Sequence, residues 1–322
     1  MALAPPSAAF PTRSGLRLAH LPQWWHLLSL DAPTVAALWS WSIAAAFHVH
    51  LPLSAPLLLA LGTWLVYVAD RILDGVLMAS PGTLRERHFF YARHRQVFLL
   101  AAMPVGLLLL WLIVTRMNPT ARREDIIVFG AALFYFSIIH AHGTAAERWL
   151  PKELAVGVVF AAATAVPAWS RLPAAENFPG RILLTIAVLF FAALCWLNCV
   201  AIEKWERARD TAKPDAPSQI PHRTTLWAQR YFQTLCVGMS LAAAVAAIWA
   251  WFASRMPRVL SLFLVCALTA AGFAALDRWQ AGNRVSAFYL RVAADAVMLT
   301  PLLLISTHAL LSALPLQSLL AR

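Results

Sequence analysis

The sequence predicts an all-α, polytopic membrane protein. Of its 322 residues, 61% are hydrophobic and only 13% are charged, whereas a soluble domain carries about 25% charged residues. The mean hydropathy is +0.66, and the apolar residues gather in stretches close to the roughly 20 residues that a membrane-spanning helix requires. Together these three properties exclude an ordinary soluble domain.

Nine apolar segments predict nine transmembrane helices. Several of the breaks between them carry Pro, Gly or Asn, which interrupt helices. The longest polar stretches are 203–230 and 71–96. The nine predicted spans are 32–49, 52–70, 97–115, 125–142, 153–169, 182–202, 231–253, 258–276 and 287–308.

Basic residues set the predicted orientation. Most of the 26 Lys and Arg residues fall in the N-terminal segment and in the loops after the even-numbered spans, and such basic loops face the cytoplasm. We therefore expect a multi-pass inner or plasma membrane protein with a cytoplasmic N-terminal segment, 1–30, a transmembrane domain, 31–308, and a short tail, 309–322. The net charge of +11 then reflects loops beside anionic membrane lipids, with no nucleic-acid partner.

The first acidic cluster lies where the second predicted span ends, in VYVADRILDG at 66–75. Asp70 and Asp74 are four residues apart, so on a helix they share a face with Cβ atoms about 5–6 Å apart. Two carboxylates that close repel unless a cation lies between them, and Mg²⁺ is usually held by one or two carboxylates plus substrate phosphates. Arg71 could contact a phosphate oxygen. The alternative is an ordinary solvated helix end.

The second acidic cluster lies where the sixth predicted span ends. Glu203, Glu206 and Asp210 share one helical face, and Asn198 precedes them at membrane depth, where a polar amide needs a partner. Both clusters are predicted to open on the cytoplasmic side, so one cation-bound diphosphate could join them. The alternative is a charged surface helix, because Glu203 and Arg207 also have the spacing of an ion pair.

Two further features carry charge near the membrane. Arg291 and Asp295 lie near the start of the ninth predicted span, where charges are costly, so we expect them to be buried and paired, or else to contact an acceptor substrate. The basic and aromatic stretch LRERHFFYARHR at 84–95 predicts an interfacial helix that lies among headgroups, caps a cytoplasmic cavity, or does both.

These motifs resemble the UbiA-type intramembrane prenyltransferase superfamily, of which the chain would be a divergent member. VYVADRILDG aligns with that family's NDYADRDFDG-like stretch after helix 2, with Val66 and Tyr67 in place of the leading Asn-Asp pair. The segment LPKELAVGVVFAAATAVPAW at 150–169 is similar to the opening of the family's helix 5, and SLDAPTVAALW at 29–39 is similar to the Asp-x-Pro before helix 1. The second cluster matches the family's second Asp-rich motif loosely.

The resemblance implies a UbiA-like fold of nine transmembrane helices around a central cavity. It also implies a Mg²⁺-dependent prenyltransferase that takes a polyprenyl diphosphate donor and a lipophilic or aromatic acceptor. The implied catalytic residues are Asp70, Asp74, Arg71 and Lys152, the implied metal ligands are Asp70, Asp74, Glu203, Glu206 and Asp210, and the implied substrate contacts are Asn198, Lys204, Arg148 and Arg85. Two alternatives stay open: a UbiA-type terpene cyclase, and a non-catalytic isoprenoid-binding membrane protein, which Val66 and Tyr67 favour.

Overall fold

The prediction of an all-α chain is confirmed. The computed structural model of the protein describes residues 21–77, 86–142, 151–172, 178–210, 222–254, 257–282 and 285–303. Of these residues, 89% are helical, and none of them lies in a β-strand. The predicted N-terminal segment up to residue 20 and the predicted C-terminal tail lie outside the described residues.

The described part of the chain forms twelve helices, numbered here in chain order. They are α1 (Leu21–Leu27), α2 (Asp31–Ala46), α3 (Ser54–Leu77), α4 (Glu86–Arg93), α5 (Arg95–Arg116), α6 (Pro119–His142), α7 (Lys152–Trp169), α8 (Phe178–Asp210), α9 (Arg223–Arg230), α10 (Phe232–Ser254), α11 (Pro257–Gly282) and α12 (Ala287–Val297).

Each of the nine predicted spans overlaps one of these helices, but only six helices in the described residues are long and apolar enough to cross a membrane. They contain the segments Ser54–Leu73, Arg95–Arg116, Lys152–Trp169, Phe178–Ala208, Phe232–Phe252 and Arg258–Gly282. The remaining predicted spans fall in α2, α6 and α12. Helix α2 has only 16 residues and α12 has 11, which is short of the roughly 20 residues that span a bilayer.

The core of the bundle is built around α8, which packs against α7, α11 and α12. Trp39 of α2 stacks on Phe191 of α8 with ring centroids 4.3 Å apart, and its indole Nε1 donates a hydrogen bond of 2.8 Å to the Met298 carbonyl after α12. In contrast, α5 exposes large apolar side chains such as Leu100 and Leu107. A helix that is apolar on its exposed side is typical of a lipid-facing position.

A second, smaller core joins α3, α4 and α5. Tyr91, Phe98 and Val68 are buried together there, and the Tyr91 and Phe98 rings stack with centroids 4.0 Å apart. The Tyr91 hydroxyl also shares a 2.7 Å hydrogen bond with the Ser29 hydroxyl, between α1 and α2. Helices α1 and α4 therefore lie together over the end of the bundle where α2 begins and α3 ends, and this pair of helices is called the cap below.

Replacing Tyr91 with Phe is expected to loosen this cap. The substitution keeps the stacked ring and removes only the hydroxyl, so it should lower the free energy of unfolding by about 1 kcal/mol and reduce hydrogen-exchange protection in α1 and α4. Tyr231→Phe, at an exposed tyrosine, is the control and should change neither quantity. Equal exchange protection in wild type and Tyr91→Phe would contradict the prediction.

Candidate functional site

Polar side chains from distant parts of the sequence meet at the capped end of the bundle. His26, Asp31 and Arg71 are 3%, 8% and 4% exposed, and Asn198 and Asp295 lie beside them in contact with this group. Charged groups are rarely this buried without a partner or a function. These five residues are called the polar cluster below.

The turn between α1 and α2 places His26 in the polar cluster. Ser29 adopts a left-handed backbone conformation with φ of 55°, and the backbone nitrogens of Ser29 and Leu30 donate to the His26 and Trp25 carbonyls. A residue in the left-handed backbone conformation commonly ends a helix. That residue is usually Gly or Asn, so a serine there is unusual. The resulting reversal brings the imidazole of α1 back onto Asp31, the first residue of α2.

Two carboxylates share one imidazole nitrogen in the polar cluster. His26 Nδ1 lies 2.6 Å from Asp31 Oδ2 and 3.5 Å from Asp295 Oδ2. The other oxygen of each carboxylate is held by an N–H group: the Ala32 backbone nitrogen donates to Asp31 Oδ1 at 2.9 Å, and Asn198 Nδ2 donates to Asp295 Oδ1 at 3.2 Å. The carboxylates are thus fixed with one oxygen each toward the imidazole.

The electrostatics of the polar cluster favour a positive charge between these carboxylates. Burial alone would lower the pKa of His26, but the nearby Asp295 and Asp31 carboxylates raise this pKa above its ordinary value. Burial would raise the pKa of Asp31, but the hydrogen bond and charge of His26 and the charge of Arg71 lower it below its ordinary range. The two carboxylates therefore stabilise the protonated imidazole of His26.

Arg71, from the first predicted motif, has a buried guanidinium with an open hydrogen-bonding position. Its central carbon lies 5.8 Å from the Tyr67 ring centroid and 5.6 Å from the Tyr91 ring centroid. Its Nη1 atom is buried and has no hydrogen-bond partner among the described residues. Because a buried N–H without an acceptor is costly, this atom is suited to receive an anionic oxygen.

Two predicted site residues of α8 bind other helices of the bundle. Arg291 Nη1 donates to Glu206 Oε1 at 3.0 Å, and Lys204 Nζ donates to Asp277 Oδ1 and Oδ2 at 2.7 and 2.8 Å. Arg291 and Asp295 are half-buried and not fully buried as expected. Both are paired as expected, with partners on other helices: Glu206 for Arg291, and His26 and Asn198 for Asp295.

The structure brings some of the predicted site residues together. In the polar cluster, Asn198 contacts Asp295, and the charge of Arg71 acts on Asp31. The Asp70 and Glu203 side chains are half-buried and Lys152 is exposed. The Asp74 and Asp210 side chains, with Arg85 and Arg148, lie outside the described residues.

The implied Mg²⁺ site can be compared with the described side chains. Asp70, Glu203 and Glu206 do not form a group of three close ligands, and the group of this kind found among the described residues is His26, Asp31 and Asp295. The Mg²⁺ ligand set implied by the motifs therefore stays a prediction, and it depends on Asp74 and Asp210.

Comparison of the chain with protein-family models, with curated proteins and with solved structures finds no match. The resemblance to the UbiA-type superfamily rests on the motifs quoted above.

Sequence reasoning did not assign His26 or Asp31 to the site. Asp31 belongs to the stretch SLDAPTVAALW, but it was associated with the resemblance alone and not with a chemical role. His26 carries no local signal, because its position depends on the left-handed turn at Ser29 and on Asp295, far along the chain. Asp295 did carry a signal, namely a carboxylate inside an apolar segment.

Proposed function

We propose that the chain is a membrane-embedded prenyltransferase of the UbiA type, which binds a polyprenyl diphosphate with Mg²⁺ at the cytoplasmic end of nine membrane helices. The prenyl group would pass to a lipophilic or aromatic acceptor. The observation that supports the proposal concerns Arg71, an arginine of the first motif. Arg71 is only 4% exposed, and its Nη1 atom has no hydrogen-bond partner among the described residues.

A diphosphate would remove the cost of burying Arg71 in this way. A buried unsatisfied donor costs about 1–3 kcal/mol, and desolvating a guanidinium costs several kcal/mol more. Arginine pairs with phosphate through two parallel hydrogen bonds, so a diphosphate oxygen at Nη1 would satisfy both the charge and the open donor. The resemblance implies the same role for this residue.

An apolar groove beside α2 offers a place for the prenyl chain. The groove has a volume of about 400 Å³, is open on one side, and runs between α2 and the first half of α3. It starts at Leu30, next to Asp31 of the polar cluster, and extends along α2 to Trp41. An almost wholly apolar lining suits a hydrocarbon chain entered from the lipid.

The proposed chemistry is stabilisation of the leaving group. Bound Mg²⁺ would supply positive charge to the departing diphosphate, with Asp70, Asp74, Glu203, Glu206 and Asp210 as its proposed ligands. Arg71 would hold a diphosphate oxygen as negative charge develops on it, and Lys152 would add a second positive charge. The apolar groove would hold the prenyl chain along α2.

The test is the affinity of Arg71 variants for a non-hydrolysable geranylgeranyl diphosphate analogue with Mg²⁺, measured by isothermal titration in detergent. Arg71→Gln should bind about 10- to 100-fold more weakly, since a hydrogen bond to a charged group contributes about 1.5–3 kcal/mol. Arg93→Gln, at an exposed arginine of α4, should bind as wild type does. No binding by wild type, or equal binding by Arg71→Gln, would refute the proposal.

A second candidate function is a non-catalytic isoprenoid-binding membrane protein. The ion pairs of Glu206 with Arg291 and of Lys204 with Asp277 favour it, because both motif residues then serve the bundle. Wild-type protein that binds the analogue but releases no pyrophosphate from geranylgeranyl or longer diphosphates would support this function. Pyrophosphate release with a cyclised product and no acceptor would instead indicate a terpene cyclase.

A further inference from the structure

The polar cluster contains a second arrangement of ligands, distinct from the two acidic motifs. We propose that His26 Nδ1, Asp31 Oδ2 and Asp295 Oδ2 bind a divalent transition-metal ion of the Mn²⁺ or Zn²⁺ class. These three atoms come from α1, α2 and α12, and one ligand atom from each side chain lies within 4.8 Å of the other two. The site does not depend on prenyl transfer.

The spacing of the three atoms is close to that of a metal site. The imidazole nitrogen lies 2.6 Å from one carboxylate oxygen and 3.5 Å from the other. Ligand atoms that each lie about 2.0–2.2 Å from a Zn²⁺ ion are roughly 3.3–3.6 Å apart in a tetrahedral site. A metal would therefore require Asp31 Oδ2 to move about 0.7–1 Å away from His26 Nδ1, whereas the Asp295 oxygen already lies at a suitable distance from that nitrogen.

Neighbouring groups already orient all three ligands. The Ala32 backbone nitrogen holds Asp31 Oδ1, and Asn198 Nδ2 holds Asp295 Oδ1, so in each carboxylate the Oδ2 atom is left to face the imidazole. The His26 ring itself packs edge-on against Phe288, with centroids 5.5 Å apart. Such outer contacts fix the ligands of metal sites and strengthen metal binding.

The imidazole contacts the two carboxylates unequally, whereas a metal ion would bind both. A single proton on Nδ1 can donate well to Asp31, but the 3.5 Å distance to Asp295 is too long for a good second hydrogen bond. A divalent ion would neutralise both carboxylates. An ion with three protein ligands keeps a position for a water or an anion.

The ligand types select the class of metal. One imidazole and two carboxylates suit Mn²⁺ and Zn²⁺, whereas Mg²⁺ prefers oxygen ligands and keeps several waters. We therefore expect the polar cluster to bind Mn²⁺ or Zn²⁺ more tightly than Mg²⁺. This order also separates the polar cluster from the Mg²⁺ site implied by the acidic motifs.

The experiment is Mn²⁺ binding to tag-free full-length protein in detergent, without any prenyl diphosphate, followed by electron paramagnetic resonance. Wild type should bind one Mn²⁺ ion per chain in the presence of excess Mg²⁺, and pulsed spectra should show coupling to an imidazole ¹⁴N nucleus. Labelling all histidines with ¹⁵N should replace the ¹⁴N coupling by a coupling to ¹⁵N. This result would test histidine ligation without any substitution.

Variants identify the ligands. His26→Gln should abolish the nitrogen coupling, and Asp295→Asn should weaken Mn²⁺ binding at least tenfold. Asn198→Ala should also weaken Mn²⁺ binding at least tenfold, since residues that orient the ligands contribute about 10- to 100-fold to metal affinity. The matched controls are His94→Gln and Glu153→Gln, two half-buried residues outside the polar cluster, and both should bind as wild type does. If His26→Gln does not fold, the comparison of Asp295→Asn with Glu153→Gln decides the site.

The proposal is overturned if wild type binds no Mn²⁺ above the level expected for nonspecific carboxylates, if the bound ion shows no nitrogen coupling, or if Asp295→Asn binds as tightly as wild type. Because no prenyl diphosphate is present, these results leave the proposed prenyltransferase untouched. Conversely, loss of analogue binding in Arg71→Gln with unchanged Mn²⁺ binding would support both proposals as separate properties.

Discussion

A single methyl group added at Gly157 is expected to destabilise the bundle, whereas the same methyl group at Gly238 is expected to be neutral or stabilising. At Gly157, α7 lies against the backbone of α8: a Cβ atom there would lie 2.9 Å from the Trp196 backbone nitrogen and 3.1 Å from the Ala192 carbonyl oxygen. These are backbone atoms, so no rotation of a side chain relieves the overlap. Small residues of this kind let membrane helices pack closely.

The measurement is the free energy of unfolding in mixed detergent micelles, obtained by titration with a denaturing detergent. Gly157→Ala should lose about 1–3 kcal/mol, as overpacked sites do, and Gly157→Leu should lose more. A Cβ at Gly238 in α10 would meet nothing within 4 Å, so Gly238→Ala should gain up to about 1 kcal/mol from helix propensity. Changes of the same sign and size in both variants would contradict the assigned role of Gly157.

Hydropathy predicted the helices well because the physical requirement is local: an apolar segment in a membrane must satisfy its own backbone. The ends of the helices were predicted less well. The sixth predicted span, 182–202, lies inside a helix that extends over Phe178–Asp210. Its polar end, EKWERARD, stays helical because Glu, Lys, Arg and Ala are good helix formers. Hydropathy alone does not detect this continuation, but the helical spacing of Glu203, Glu206 and Asp210 predicted it.

The polar cluster was predicted only in part, because its geometry is tertiary. Arg71, Asn198 and Asp295 are recognisable as polar groups in or beside apolar segments, where each requires a partner. The partner of each group depends on how α1, α8 and α12 pack against one another. The spacing of residues along the sequence does not reveal this packing. The same limit applies to Lys204: the motifs imply a substrate contact, and they do not predict its hydrogen bond to Asp277 on α11, 73 residues away.

Removal of the Asp277 carboxylate is expected to have one of the largest effects of any single substitution in the bundle. Asp277 is 5% exposed and accepts hydrogen bonds from Lys204 Nζ at 2.7 Å, from Trp205 Nε1 at 3.0 Å and from Gln233 Nε2 at 2.8 Å. Asp277→Leu would leave three donors on α8 and α10 without their acceptor. Removing one partner of a buried ion pair lowers the free energy of unfolding by about 3–5 kcal/mol.

We expect a loss near the lower end of that range, about 3 kcal/mol, because the Lys204 side chain is 30% exposed and can partly reach water. A double-mutant cycle with Lys204→Met isolates the pair: the double variant should be more stable than the sum of the two single losses implies, by about 1–3 kcal/mol. Additive losses would mean that the two side chains do not interact.

The same cycle decides what Lys204 does. If Lys204 stabilises the bundle through Asp277, Lys204→Met should lower the free energy of unfolding and leave the affinity for the diphosphate analogue unchanged at temperatures where the variant is folded. If Lys204 contacts diphosphate instead, as the motifs imply, the affinity should fall and the stability should change little. The two bonds of 2.7 and 2.8 Å to a buried carboxylate lead us to expect the first result, because a lysine that leaves this partner for a substrate would abandon a buried negative charge.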